Sequence, residues 1–206
     1  MKLKRLLIGI SNRINIDVDF KRLEKAKEFT TDKLYFTLIA EETNGGYFFN
    51  NSLHLYGYCD KPEHHSINHV NQTLKREYGE IIGNLFCFGQ DVFGNQFAFE
   101  NEKVLNFNIE TGDKNLLAHN FESWLEVLLN DLEYQTGENF ARDFRENQEL
   151  QDHRFCPKVP FIIGGEYRHD NFYLESYPKY IEVNSNIARQ VYNLQEGTKI
   201  KIKITE

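Results

Sequence analysis

The chain has 206 residues, of which 40% are hydrophobic and 14% aromatic, and its formal net charge at pH 7 is −7. A chain of this length buries roughly 70% of its unfolded surface on folding, so it can form a large core without disulfides or metal ions. The negative charge argues against a protein that binds nucleic acid directly, because such proteins normally present a basic face to phosphates. It favours a basic partner.

The cysteine content and the apolar runs predict a cytoplasmic location. The chain has three cysteines, an odd number, and none forms a Cys-x-x-Cys pair, so we expect no disulfide framework. They are Cys59, Cys87 and Cys156. The apolar run Leu6–Ile8 is too short for the core of a signal peptide. No window approaches the roughly 18 apolar residues of a membrane span, so we expect no membrane association.

Four elements are predicted in the first third of the chain: a strand at 6–10, an amphipathic helix at 19–29, a helix at 31–43 and a hairpin of strands at 47–49 and 53–58. The segment 31–43 has aromatic residues typical of a strand and apolar pairs at the i,i+4 spacing of a helix. The turn Asn44-Gly45-Gly46 that follows favours a helix, with Thr31 or Asp32 as its N-cap.

The rest of the chain predicts a sheet flanked by helices: a helix opened by Ser66 and closed by Gly79, strands at 85–89, 96–99 and 104–109, helices after Asn120 and at 138–149, a strand at 172–175, a helix at 187–192 and a closing strand at 199–205. Trp124 lies on the apolar face of the helix after Asn120, so we expect its ring in the core. The predicted fold class is α+β, with a twisted mixed or antiparallel sheet. No repeat or linker divides residues 1–206, so we predict a single domain whose residues 150–206 form a carboxy-terminal extension that completes the fold.

The chain contains no motif typical of nucleotide binding, of a nucleophile elbow or of a zinc protease. His64, His65 and His69 lie near one another but have no thiol or carboxylate at metal-binding spacing, so we predict surface histidines. Asp91, in a glycine-containing turn, is expected to accept hydrogen bonds from the neighbouring backbone.

Two further groups of residues have a functional and a structural interpretation. Gly164-Gly165-Glu166 could hold a phosphate, but only Arg168 supplies a nearby positive charge, and a tight turn between apolar strands explains the pattern equally well. Cys156 follows His153 by three residues, yet no orienting acid stands at a recognisable distance, so we predict a bystander cysteine. We therefore predict no catalytic residue, no cofactor and no metal, and expect that the chain is not an enzyme.

The net charge is concentrated in one stretch. Residues 120–152 contain nine acidic residues and only Arg142 and Arg145, which gives −7, the net charge of the whole chain. Two interpretations stay open: these residues form the solvated faces of two amphipathic helices, or they form a patch that attracts a basic protein. The residues predicted to contact a partner are Glu122, Glu126, Asp131, Glu133, Glu138, Asp143 and Glu146.

Three blocks of the sequence resemble the signature blocks of the SUKH superfamily, which includes the Smi/Knr cell-wall regulators of yeast. They are Ile39–Phe49, with its Asn-Gly-Gly turn, Leu85–Phe99, with a Phe-Gly-x-Asp-x-x-Gly turn, and Phe121–Leu129, which opens as Phe-x-x-Trp-Leu. Their order and spacing also resemble the family, over roughly residues 30–130. The segment 159–167 with Asp170 and Asn171 is similar to longer members.

The resemblance implies an α+β fold, no catalytic centre and, in bacteria, an immunity protein that binds and neutralises a cognate toxin delivered by contact or built from polymorphic modules. The toxins are often nucleases, whose basic surfaces suit an acidic protein. The matched residues are structural, so no contact residue transfers with them. The alternative is a regulatory protein-interaction module of the Smi/Knr type.

Overall fold

The computed structural model describes residues 2–144, 147–195 and 197–202. Its strands are β1 (Ile10–Asn12), β2 (Gly46–Phe48), β3 (Leu53–Leu55), β4 (Phe86–Gln90), β5 (Gln96–Glu100), β6 (Lys103–Phe107), β7 (Lys114–Ala118), β8 (His153–Pro157) and β9 (Phe172–Ser176). Its α-helices are α1 (Lys2–Ile8), α2 (Phe20–Lys25), α3 (Lys33–Thr37), α4 (Ile67–Tyr78), α5 (Phe121–Asn130), α6 (Leu132–Thr136), α7 (Glu138–Asp143) and α8 (Lys179–Val191). Strands β1 to β7 form one antiparallel sheet in chain order, and β8 pairs with β9 in a second.

Helices cover both faces of the seven-stranded sheet, so the fold is α+β as the sequence predicts. On one face, Trp124 of α5 is fully buried, and its ring centroid lies 5.0 Å from that of Phe88 and 5.2 Å from that of Phe97. On the other face, α4 packs against α8, and Tyr78 meets Phe107 edge-on at 5.0 Å. The predicted core position of Trp124 is confirmed.

Several predicted caps and turns are present. Asp32 caps α3 by accepting from the backbone N–H groups of Leu34 and Tyr35, at 2.9 and 3.1 Å. Helix α3 continues as a π-helical turn, Leu38–Glu42, and Gly45 follows with φ +74°, a left-handed backbone that favours glycine. Asn120 caps α5, since its side chain accepts from the backbone N–H of Ser123 at 2.8 Å.

The predicted opening strand at 6–10 is wrong for most of its length, because residues 2–8 form helix α1 and only Ile10 enters β1. The cause is visible in the spacing of Leu3, Leu6 and Leu7, which places their side chains on one helical face. Leu6 is fully buried there, and α1 packs against α5. A tertiary contact with α5 therefore decides the local conformation.

The acidic stretch forms shorter helices than predicted. Helix α5 ends at Asn130, and α6 and α7 follow after breaks at Asp131 and Gly137, so the predicted helix 138–149 ends at Asp143. Strand β7 was not predicted, because its sequence lacks the β-branched and aromatic residues of typical strands. Its pairing with β6 supplies the stabilisation instead.

The C-terminal part packs on the main sheet through β8 and α8. The predicted helix 187–192 begins earlier, at Lys179, and the predicted strand 172–175 is present as β9. Residues 199–202 are not a strand, and residues 203–205 of the predicted closing strand lie outside the described residues. The turn at Gly164-Gly165 follows a short 3-10 helix, Phe161–Ile163, within the connection between the paired strands β8 and β9. None of the described helices is long and apolar enough to cross a lipid bilayer.

Candidate functional site

Two of the predicted contact residues, Glu122 and Glu126, lie on the exposed side of α5 and pair with α1. The Lys2 ammonium is 2.8 Å from a Glu126 carboxylate oxygen and 3.6 Å from one of Glu122. The Lys2 hydrogen bond is the chief reason that the pKa of Glu126 lies below its ordinary value. Both acids remain solvent-accessible, so this end of the acidic surface carries a net charge of −1 over the three side chains.

Three of the remaining predicted contact residues lie close to Arg142. Its guanidinium lies 2.7 Å from Glu138, 3.4 Å from Glu133 and 3.8 Å from Asp143. Glu138 is buried and also accepts from the Asn50 side chain at 2.7 Å, so it offers little surface to a partner. Glu146 lies outside the described residues.

Asp131 and Glu133 line a groove at the end of α5, which we name the α6 groove. Its floor is formed by Asn106 of β6 and Asn115 of β7, which pair in register, and it encloses about 660 Å³. Asn106 also pairs with Phe97, whose ring contacts Trp124, so the floor lies on the α5 face of the sheet. No lysine, arginine or histidine is among the described residues that line it.

Aromatic rings form the other walls of the α6 groove. Tyr134 of α6 is 82% exposed and Tyr167 is 58% exposed. The ring of Tyr167 is held in place, because it stacks on Phe161 at 4.0 Å and 10° and meets Phe93 edge-on at 5.5 Å. The groove therefore combines fixed and exposed rings with acidic and amide side chains.

Asp91 forms part of the groove wall and organises the turn between β4 and β5. One of its carboxylate oxygens accepts from the backbone N–H groups of Phe93 and Asn95, at 2.8 and 2.9 Å, and the other accepts from the Asn95 side chain at 2.8 Å. The predicted role of Asp91 in local hydrogen bonding is confirmed. Burial raises the pKa of Asp91 to about 7, although these hydrogen bonds favour the ionised form.

The prediction that the histidines around position 65 lie on the surface is wrong for His65. Its side chain is fully buried, and its Nδ1 lies 3.0 Å from Nε2 of His54 on β3. His64 and His69 are partly buried. No group of three or more metal-ligating residues is found among the described residues.

A buried polar cluster joins this histidine pair to the C-terminal part of the chain. Arg154 of β8 is 1% exposed and donates to the carbonyls of His153, at 2.6 Å, and Leu150. With the Gln90 amide oxygen turned toward it, Arg154 Nη2 also donates to Gln90 at 3.0 Å. Tyr47 completes the link, since its hydroxyl donates to the carbonyl of Gln151. These contacts are structural, and no carboxylate of the described residues forms an ion pair with Arg154.

The other groups with a functional interpretation have structural roles. Cys59, Cys87 and Cys156 are all free and buried, and burial raises the pKa of Cys59 to about 11 and that of Cys156 to about 12. Thiols in this state are protonated at neutral pH and poor nucleophiles. Arg168 pairs with Asp170 at 3.0 Å and Glu166 at 3.6 Å, so carboxylates already neutralise the cation beside Gly164-Gly165.

The comparisons with known proteins show the fold and no function. No family model matches the sequence, and no curated protein is significantly similar to it. Among solved structures, the crystal structure of Atu4351 from Agrobacterium tumefaciens matches with a TM-score of 0.52 and 13% sequence identity, over 89% of this chain and 86% of that chain. At this identity the likeness shows a similar fold alone, and the resemblance to the SUKH superfamily stays a prediction.

Sequence reasoning identified two residues of the α6 groove, Asp131 and Glu133, and missed its rings and amides. The sequence did offer one signal, the aromatic residue Tyr134 within the acidic stretch, and the structure leaves 82% of its surface exposed. Asn106, Asn115 and Tyr167 are separated by up to about sixty positions in the sequence and converge only through strand pairing and the C-terminal loop.

Proposed function

We propose that this protein binds and neutralises a cognate bacterial toxin with a basic surface, by stoichiometric occlusion, as an immunity protein of the SUKH type in the cytoplasm. The observation that carries the proposal is the α6 groove with its neighbouring acids: Asp131, Glu133, Glu122 and Glu126 are exposed on consecutive helices, and no basic side chain lines the groove among the described residues. A basic active surface, such as that of a nuclease, is complementary to such a face.

The roles of the nucleophilic and acid–base groups also support binding over catalysis. The three thiols and the His54–His65 pair are buried, and Asp91 holds a turn. None of these groups is both exposed in the α6 groove and free of a structural contact. A surface that works by complementary charge and shape needs no such group.

The proposal is tested by measuring the association rate of the protein with the toxin domain encoded next to its gene. Replacing Asp131 with Asn and Glu133 with Gln removes two charges and keeps the N-cap oxygen of α6. We expect a roughly threefold or greater loss of association rate at low salt, and convergence with the wild type as salt increases.

The matched control is the pair Glu42→Gln and Glu80→Gln, which removes the same charge at exposed sites outside α5, α6 and α7. Equal loss in both double variants would mean that only net charge matters and would reject the assigned surface. A failure to bind the neighbouring toxin at any salt concentration would reject neutralisation and favour the regulatory interaction module.

A further inference from the structure

The α6 groove has the chemistry of a site for one particular side chain. We infer that it accepts the guanidinium group of an arginine presented by the partner protein, stacked against the tyrosine rings and bound by the groove's carboxylate and amide oxygens. This inference rests on the proposed function for the source of the arginine, but the affinity of the groove for guanidinium can be measured without the partner.

The first argument is the charge of the groove. Asp91, Asp131 and Glu133 line it, and the described lining residues include no cation to neutralise them. Only Glu133 has an ion-pair partner, Arg142, at 3.4 Å between two exposed side chains, which is a weak pairing. Asp91 is buried and both of its carboxylate oxygens already accept hydrogen bonds from Phe93 and Asn95, so the charge open to a ligand is that of Asp131 and Glu133. An entering cation would therefore find uncompensated negative charge.

The second argument is the supply of acceptors. The side-chain amides of Asn106, Asn115 and Asn139 line the groove and make no hydrogen bond to another described residue. Asp131 uses one carboxylate oxygen for the backbone N–H of Tyr134, at 3.4 Å, which leaves the other available. A guanidinium group presents five N–H donors in one plane and can use several such acceptors at once, whereas a lysine ammonium has three on a point charge.

The third argument is the aromatic surface. The Tyr167 ring is fixed by its stack on Phe161, so ordering it on binding costs little entropy. Tyr134 projects from α6 with most of its surface in solvent and can cover an entering group. Arginine stacks on such rings and gains a cation–π attraction. Another cavity, of about 670 Å³, is lined by Lys75 and contains no tyrosine among its described lining residues, so it lacks this combination.

The test uses N-acetyl-arginine amide as the probe and N-acetyl-citrulline amide as its uncharged analogue of equal shape. Backbone amide chemical shifts are followed by NMR during titration of the full chain. We expect saturable shifts at Asn106, Asn115, Tyr134 and Tyr167, with an affinity for the arginine probe about fivefold or more above that for citrulline. Equal affinities, or no saturable shift at these residues, would overturn the inference.

Variants then assign the binding to the groove. Tyr134→Ala and the double variant Asp131→Asn, Glu133→Gln should each lower the affinity for the arginine probe about fivefold. The control pair Glu42→Gln and Glu80→Gln removes the same charge at exposed sites outside the groove and should leave that affinity unchanged. If the toxin binds with an affinity that Tyr134→Ala and the groove double variant leave unaltered, the inference and the assigned contact surface both fail, while neutralisation of the toxin stands. If the probe binds but the toxin does not, the groove's chemistry is supported and the proposed function fails.

Discussion

Nε2 of His54 and Nδ1 of His65 lie 3.0 Å apart in the interior, and the two imidazole rings stack at 5.3 Å and 15°. His65 Nε2 donates to the carbonyl of Asn44 at 3.0 Å, so Nδ1 is left to accept from His54. Both rings are neutral in this arrangement. Burial is the main cause of the low pKa of each, about 4 for His65, and the positive charge of Arg154 further lowers that of His54.

This pair makes the protein sensitive to acid. A histidine whose folded-state pKa is below its unfolded value of about 6.5 binds its proton only after unfolding, so stability is lost as the pH falls from about 6.5 toward 4. We expect His65→Gln to reduce the loss of unfolding free energy between pH 7 and pH 5, with a difference of up to about 2 kcal/mol, measured by urea denaturation. Parallel losses in wild type and variant would contradict this account of the pair.

Asp91 should show the opposite dependence. Because burial raises its pKa from 3.8 to about 7, the folded state binds the proton more readily than the unfolded state, and ionisation removes stability as the pH rises through this range. The destabilisation caused by Asp91→Asn should therefore be smaller at pH 8 than at pH 5. Thermal unfolding of both proteins at the two pH values measures this, and a cost independent of pH would show that the turn hydrogen bonds keep Asp91 ionised throughout.

Arg154 stabilises the C-terminal part through hydrogen bonds to carbonyl groups. Arg154→Met would leave the carbonyls of Leu150 and His153 without this donor, and we expect a loss of about 2–3 kcal/mol at pH 7. The penalty should shrink at pH 5, because the charge that opposes protonation of His54 is gone. Chemical denaturation at both pH values tests this, and a variant at least as stable as the wild type at pH 7 would show that the buried charge costs more than its hydrogen bonds contribute.

Trp124 contributes packing and no hydrogen bond. Its Nε1 has no hydrogen-bond partner among the described residues, while its ring contacts Phe88, Phe97 and Phe121. Trp124→Ala should cost about 3–5 kcal/mol, whereas Trp124→Phe, which keeps a ring and loses no hydrogen bond, should cost only about 1–2 kcal/mol. If chemical denaturation gave the same loss of unfolding free energy for Trp124→Ala and Trp124→Phe, the packing of the ring would not be the source of the stabilisation.

The elements that could be predicted from the sequence are those whose conformation is determined locally. Helix α4 shows a regular apolar stripe between Ser66 and Gly79, and the observed helix has these bounds. Strand β7 depends on its pairing with β6, which no local pattern reveals. Helix α1 has a helical spacing of leucines that is too short to decide its conformation alone, and its contact with α5 decides it. The same limit applies to side chains.

His65 illustrates this limit for the site. A histidine in a polar stretch is normally exposed, but the strand residue His54, eleven positions earlier, provides a buried partner. The acidic character of residues 120–152 could be predicted from the sequence, since charge is a property of composition. The sequence could not show which of those acidic side chains are free to contact a partner. Lys2, Asn50 and Arg142 bind some of them, and folding alone brings these residues together.

The most direct test of the proposed function is a growth assay of bacteria that express the toxin. The toxin domain encoded beside this gene is expressed with and without the protein, and the pair is then purified together. The account predicts that the protein restores growth and that the two chains elute as a one-to-one complex that dissociates more readily at high salt. Unrelieved toxicity with no complex would contradict it.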